Sequence, residues 1–420
     1  MPGWAAGIAC DWRHRNAMSP RVRPTGGGSR RSTVPIIEST KGWSLRNTLN
    51  AAARGCAAAA LWALASCGGG SDEPHSAPPR APDSVIYVTN VSSSDVSIHA
   101  VDGDTGTLGA AQAAAPAGTS PVAIAVHPSG RFLYVANFQS CDISAYAIDA
   151  VTGALTPIGS PISTGAGKNP LFISVHPSGR FAYVATLLDN PVPGKVTPYA
   201  IDATTGALRA LDDGAFAGNG PSSIAFTPNG NFAYVADFLS DVVWALAVDT
   251  STGALTDVAP NEPTIAGFFP ASVAVDGRGR FAYVVNRQSG DVMSFAIAAS
   301  GRLAQVGDPI AAGVGPTFVA LHPSGKFAYV VNLGSDDIST YAIDAVSGAL
   351  SPAGPTVPTG DQPRSIAFEP SGRFAYVVNQ DSEDISVYVV DAATGALSSA
   401  GDRVATGQQP SAMAIVTRMP

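Results

Sequence analysis

The chain has 420 residues, of which 45% are apolar and only 13% charged, with 44 Gly and 33 Pro. That mixture excludes a disordered chain, which carries more charge, and a helical bundle, which carries less Gly and Pro; it suits a turn-rich β protein. The formal charge of −8 hides an asymmetry: residues 1–66 hold nine Lys/Arg and two Asp/Glu, so 67–420 hold 15 basic and 30 acidic residues, and so acidic a surface argues against nucleic-acid binding.

The basic front end reads as an export signal. Lys41, Arg46 and Arg54 precede an 11-residue apolar run from Cys56 to Ser66, too short for a permanent membrane helix. The run ends in Leu64-Ala65-Ser66-Cys67, which resembles the bacterial lipobox. The resemblance implies cleavage after Ser66 and a diacylglycerol on the Cys67 thiol, and Gly68 in place of Asp implies the outer membrane. A plain cleaved signal peptide is the other reading. Residues 67–83, rich in Gly, Ser and Pro, follow as a flexible tether. With Cys10 and Cys56 removed and Cys67 acylated, Cys141 stands alone, so neither an internal disulfide nor a Cys metal site is expected.

From residue 84 the chain repeats. Phe-Ala-Tyr-Val and close variants place tyrosines at Tyr87, Tyr134, Tyr183, Tyr234, Tyr283, Tyr329 and Tyr376, at intervals of 46 to 51 residues. That period with only β-type alternation predicts blades of four antiparallel strands, seven in all, hence an all-β seven-bladed β-propeller over 84–420. In the second unit the strands are expected at Pro121 to Val126, Phe132 to Asn137, Ile143 to Ile148 and beyond Leu155. His127-Pro128-Ser129-Gly130 and Asp149-Ala150-Val151-Thr152-Gly153 form the turns. The first unit lacks its opening strand, and the chain ends in Pro410-Ser411-Ala412-Met413-Ala414-Ile415-Val416, which supplies it. Joining tail to head closes the ring and removes open sheet edges.

Propeller geometry sorts the loops by face. Turns between strands one and two, and between three and four, share one face; loops between two and three, and between blades, share the other, which in propellers of known geometry is usually the ligand face. His127, His176 and His322 all occupy the His-Pro-Ser-Gly turn opposite that face, which reads as structural; His99 lies in a strand and His75 in the tether. The Asn after each Tyr-Val pair (Asn90, Asn137, Asn286, Asn332, Asn379) reads as a strand-end cap. Breaks in the pattern are the candidates: Asp237 and Thr186 in place of that Asn, Arg287 after Asn286, and Lys168 and Asn169 before the third blade. Asp361, Gln362 and Arg364 mark the seventh blade, Gln408 and Gln409 the closing strand, and Phe268, Phe269 and Phe318 are possible apolar walls. The loop 187–195 is longer than its counterparts and reads as a lid or contact loop.

The repeat P-x-x-I-A-V-H-P-S-G-R-F-A-Y-V-A-N followed by D-I-S-x-Y-A-I-D resembles the lactonase family of seven-bladed propellers, which includes 6-phosphogluconolactonases of the propeller type. Tyr87-Val88-Thr89-Asn90 matches the related Tyr-Val-Thr-Asn repeat. The resemblance spans about Val85 to Arg418. It implies an ester-type hydrolase acting on a lactone; no cofactor or metal is expected, since the sequence shows neither the ligand clusters nor the tryptophan-docking repeats that a metal-dependent or quinoprotein propeller would carry. Gln362-Pro363-Arg364 resembles a family Gln-Pro-Arg, which implies Arg364 as an anion anchor. The chain departs from the family where Gly315-Pro316-Thr317-Phe318 and Pro270-Ala271-Ser272 stand in place of Arg or His. In the enzymatic reading Arg364 and Lys168 hold a sugar or small-acid lactone, Asp237 activates water, and Asn169, Arg287, Gln362 and Gln408 line the site. In the other reading the chain is a monomeric, non-catalytic envelope propeller that holds a protein or glycan on its lipid tether. An outer-membrane address argues against a cytosolic 6-phosphogluconolactone substrate in either case.

Overall fold

The computed structural model describes residues 83–188, 193–212, 214–260 and 262–417. The export signal, Cys67, the tether and part of the 187–195 loop lie outside the described residues.

Residues 81–420 form one compact unit of seven antiparallel sheets. Within each blade the second strand carries the repeat and is sealed on both faces: Phe132–Asn137 and its counterparts Phe281–Asn286, Phe327–Asn332 and Phe374–Asn379 are buried along their whole length. Alternation there does not separate core from solvent, because both faces of the strand meet a neighbouring blade. The first strands, such as Pro121–Val126 and Pro363–Phe368, are innermost, and each packs on the first strands of both neighbouring blades in a closed cycle of seven. Closure occurs as the sequence predicts: Pro410–Thr417 pairs antiparallel with Ser84–Asn90, joining the last residues to the first blade.

The outer edge is more broken than four plain strands suggest. In most blades the fourth strand comes in two short pieces that both pair with the third, for example Leu155–Pro157 and Ile162–Ser163 against Asp142–Ile148. Gly159 and Pro161 interrupt the piece between them, Gly159 at a positive φ of 65°. In the fifth blade the edge runs on as Leu303–Ala311, with an irregularity absorbing the same offset.

The residues that recur most faithfully hold blade to blade. The Tyr134 hydroxyl donates to the Gly206 carbonyl of the next blade at 2.9 Å, and a Cβ added at Gly206 would sit 2.4 Å from the Phe132 ring. Gly206 has a φ of 74°, so the turn needs glycine for both its backbone and its neighbour. One residue earlier, Arg180 lies over the Phe181 ring at 5.2 Å and donates to the Thr250 and Ser251 carbonyls of the following blade. The turn histidines act likewise: Nε2 of His127, His176 and His322 meets the carbonyls of Gly179, Gly230 and Gly372 at 2.8–2.9 Å. Gly-Arg-Phe-Ala-Tyr-Val is therefore an interface motif.

Candidate functional site

Six of the seven first strands begin with a proline and the third-blade one, Lys168–Val175, carries it as Pro170; directly after that proline the ladder slips. In the seventh blade Pro363 opposes Asn379 and Ser365 opposes Val378, which places Arg364 at a β-bulge. The same slip leaves Val122, Leu171, Ser222, Ala271, Thr317 and Ser411 unpaired in the other blades. A bulge redirects the side chain it frees. These seven half-buried side chains lie on the innermost strands, at the end where the loops between blades enter. The hydroxyls of Ser222, Thr317 and Ser411 donate to the carbonyls of Pro270, Pro363 and Pro121 in the next blade, at 3.2, 3.5 and 3.1 Å. Arg364 is the one charged member of the ring.

A second circle comes from the residue after the strand-end Asn, whose N–H donates back to the loop before its own first strand. Arg287 donates to the Phe269 carbonyl and Gln380 to that of Gln362, at 2.8 and 2.9 Å. Gln380 is only 3% exposed and its Oε1 accepts from Arg364 Nε at 2.6 Å. Gln362 Nε2 donates to Asp381 Oδ2 at 2.5 Å. Arg364, Gln380, Gln362 and Asp381 thus form one polar cluster on the seventh blade. Burial lowers the Arg287 pKa from its usual value, though a guanidinium stays charged at any physiological pH.

The remaining predicted residues scatter over the same face. Lys168 opens the third-blade first strand opposite Leu188, its carbonyl accepting from Thr164 Oγ1 at 2.5 Å. Asn169 Nδ2 donates to the Phe138 carbonyl at 2.8 Å and reaches Cys141 Sγ at 3.4 Å, so it ties the second and third blades. Gln408 takes its place through its N–H on Ser93 Oγ at 3.2 Å. Gln409 Oε1 accepts from Ser92 at 2.8 Å. Phe318 leaves the face altogether and packs into the core between the sixth and seventh blades.

Asp237 differs most from its expected role. It is fully buried, and its oxygens accept from the backbone N–H groups of Asn219, Gly220 and Leu239 at 2.9, 2.8 and 3.2 Å, with the Trp244 indole at 3.5 Å. A base that activates water needs an accessible lone pair. This carboxylate spends its lone pairs on a loop. Elsewhere the strand-end Asn donates to an Asp opening the third strand, as Asn137 does to Asp142 at 2.7 Å. The fourth blade has Val242 at that place, so Asp237 takes over the polar role.

Phe269 and Gln362, each directly before a proline, have φ of 61° and 54°. Asp241 and Asp336 of the preceding blades accept their N–H groups at 2.8 Å and fix these left-handed conformations. A bulky aromatic there is strained, and such strain collects at functional surfaces. Two clefts of about 210 and 440 Å³ lie at the blade margins, lined by Glu262 and Arg302 and by Tyr388 and Arg403 respectively; neither contains a predicted site residue. Among the described residues no cluster of three His, Cys, Asp or Glu could hold a metal.

The family model for the seven-bladed lactonase propeller matches residues 80–172, 162–320, 194–358 and 311–415. The chain belongs to the lactonase family. It is similar to the periplasmic gluconolactonase of Pseudomonas aeruginosa, with 25% identity over 80% of this chain and 99% of that one and a TM-score of 0.70. A 6-phosphogluconolactonase candidate from Bacteroides fragilis is 23% identical over 81% of this chain and 100% of its own, with a TM-score of 0.70, and a Lactobacillus plantarum protein is 22% identical over 79% and 99%, at 0.66. At those identities the likeness to the last two is one of fold. No curated protein sequence matches this lactonase-family chain. No described helix is long and apolar enough to cross a membrane.

Proposed function

We propose that this lactonase-family propeller opens a small lactone outside the cytoplasm, with Arg364 as the group that holds and polarises the acyl oxygen. The observation that carries the reading is the Arg364 bulge: a guanidinium on the innermost strand, oriented through Nε by the buried Gln380. A preorganised cation near the developing oxyanion stabilises the tetrahedral state without reorganising at the moment of reaction. Water adds to the acyl carbon, the ring C–O bond breaks, and the proton lost by the water reaches the departing alkoxide, giving a hydroxy acid. The periplasmic gluconolactonase of similar fold and the lipobox-like sequence ending at Cys67 support a cell-envelope address.

The test is a pH-stat assay of the mature protein on D-glucono-δ-lactone and a panel of five- and six-membered lactones. Turnover above the buffer rate is expected, and Arg364→Ala should lower kcat/KM by about a hundredfold or more. No rate above buffer for any lactone would overturn the reading. The engagement of Asp237 by backbone donors favours a second reading, in which the face binds a ligand without turning it over; saturable binding with no ring opening would select it. Labelling of cells with radioactive palmitate tests the address: the label should be lost in Cys67→Ser, and a wild-type chain without label removes the lipid anchor.

A further inference from the structure

We infer that the lactone taken by this face carries an apolar substituent, an alkyl or aryl group beside the ring; the inference rests on the reading of Arg364 as the lactone anchor. The loop tips of the ligand face are not alike. At equivalent tips the seventh blade presents Asp361, the first Gln408 and the second Thr119, whereas the fifth presents Phe268 and the sixth Val314. In the fourth blade Leu239 rises from the neighbouring loop. Phe268, Val314 and Leu239 are 64%, 67% and 56% exposed. Single exposed apolar residues are ordinary, but three on one face of three successive blades form an arc.

Beneath them the rings of Phe238 and Phe269 meet at 4.7 Å, Phe269 held in its left-handed conformation by Asp241. At that same position other blades place Ser120, Gly315, Gln362 and Gln409, so the strained aromatic belongs to this arc alone. The arc adjoins the anchor: Thr317 of the sixth blade donates to the Pro363 carbonyl, next to Arg364. The face is therefore polar around Arg364, and in the fourth to sixth blades it carries an arc of exposed apolar side chains among polar ones such as Asn219 and Gln288. A polyhydroxylated sugar lactone gains little from that apolar arc, whereas a hydrocarbon substituent is partly removed from water by it. The net charge of −15 over 67–420 argues against an anionic lipid surface as the occupant.

The experiment compares δ-valerolactone, δ-octalactone and δ-decalactone, which share a ring and differ in alkyl length, on the wild-type protein and on a Leu239→Ser/Phe268→Ser double variant. The control is Val346→Ser, an 86% exposed residue on the opposite face. Wild-type kcat/KM should rise about two- to fourfold per added methylene. The double variant should flatten that rise, and Val346→Ser should keep it. Lactones opened with no dependence on chain length would overturn this inference and leave the lactonase reading standing. Opening of no lactone at all would remove both. In a parallel flotation assay with phosphatidylethanolamine/phosphatidylglycerol vesicles, binding lost in the double variant would assign the arc to a membrane and also overturn the inference; no binding is expected.

Discussion

The hydroxyl of Tyr376 in the last blade donates to the carbonyl of Gly106 in the first, at 3.0 Å. The same bond spans five other blade interfaces, from Tyr87 to Gly153, Tyr134 to Gly206, Tyr183 to Gly253, Tyr234 to Gly301 and Tyr329 to Gly395, at 2.7–2.9 Å. At the seventh interface the Tyr283 hydroxyl is buried, with no acceptor in reach among the described residues. The two tyrosines thus differ in one bond and little else. Tyr376→Phe leaves a buried carbonyl unsatisfied and should cost about 1–3 kcal/mol in urea unfolding, whereas Tyr283→Phe removes an unpaired hydroxyl and should be neutral or slightly stabilising. Equal losses would show that the hydroxyls do not hold the blades together.

The closing strand makes the ring a single cooperative unit. Pro410–Thr417 is the inner neighbour of Ser84–Asn90, and Met413, Ile415 and Val416 pack into the cores on either side of the first blade. Ending the chain at Gly407 strips a fully buried strand of its partner and opens two sheet edges. Calorimetry should show one transition in the intact protein, with Tm lowered by at least roughly 10 °C in the truncated one. A truncated chain that melts like the intact one would mean the ring does not close through this strand.

Acid should loosen the face opposite the site. Nδ1 of His176 accepts the N–H of Ser178 at 3.1 Å while Nε2 bonds the Gly230 carbonyl at 2.9 Å, so the latch needs the neutral ring with its proton on Nε2. Burial among Phe181, Tyr183 and Phe226 lowers its pKa below 6.5; the Gly230 carbonyl opposes that shift and Arg180 adds to it. Because the folded value is the lower one, the unfolded chain binds more protons in the window just below 6.5. The stabilisation is therefore full above about pH 6.5 and declines as pH falls towards the folded value. A second window lies lower: hydrogen bonds from Ser251 and Thr252 hold Asp249 down to about 2, so its share is lost as pH drops below 3.8. Tm measured from pH 7 to 5 should fall in the wild type and less steeply in His176→Gln. Identical slopes would exclude this latch as a contributor.

The ring was readable in the sequence because every blade solves the same packing problem, so the Phe, Tyr and Gly that meet across interfaces recur at a fixed period. The site is not periodic, and only its departures show. Arg364 was visible as a charge in a column of Val122, Ser222, Ala271 and Thr317. Its bulge was not, since a register slip depends on pairing with Asn379 rather than on composition. Asp237 looked chemical because it breaks the asparagine column. The compensating Val242 and Trp244 in the next strand, which turn its carboxylate inward, carry meaning only once the strands are paired. Gln380 lay in a column of Val91, Phe138, Phe238, Arg287 and Leu333 that reads as ordinary loop variation. Its pairing with Arg364 rests on the same register slip.

That pairing gives the site its most direct mutational test. On the lactonase reading proposed above, Gln380 would act only through Arg364, as a positioning residue: its Oε1 accepts from Arg364 Nε at 2.6 Å. Gln380→Leu keeps the volume and removes the acceptor, leaving a half-buried N–H to find another partner and swing the cation away. Lactone opening should fall by about tenfold in kcat/KM with the loss mainly in kcat, because misplacing the cation costs the oxyanion more than it costs the ground state. Gln380→Glu retains an acceptor at the same place and should recover part of the loss, its added charge offsetting some of the cation's. The Tm of each variant separates this from a purely structural role: a Gln380→Leu protein that loses several degrees yet turns lactone over normally would show that the amide supports the fold and not the cation.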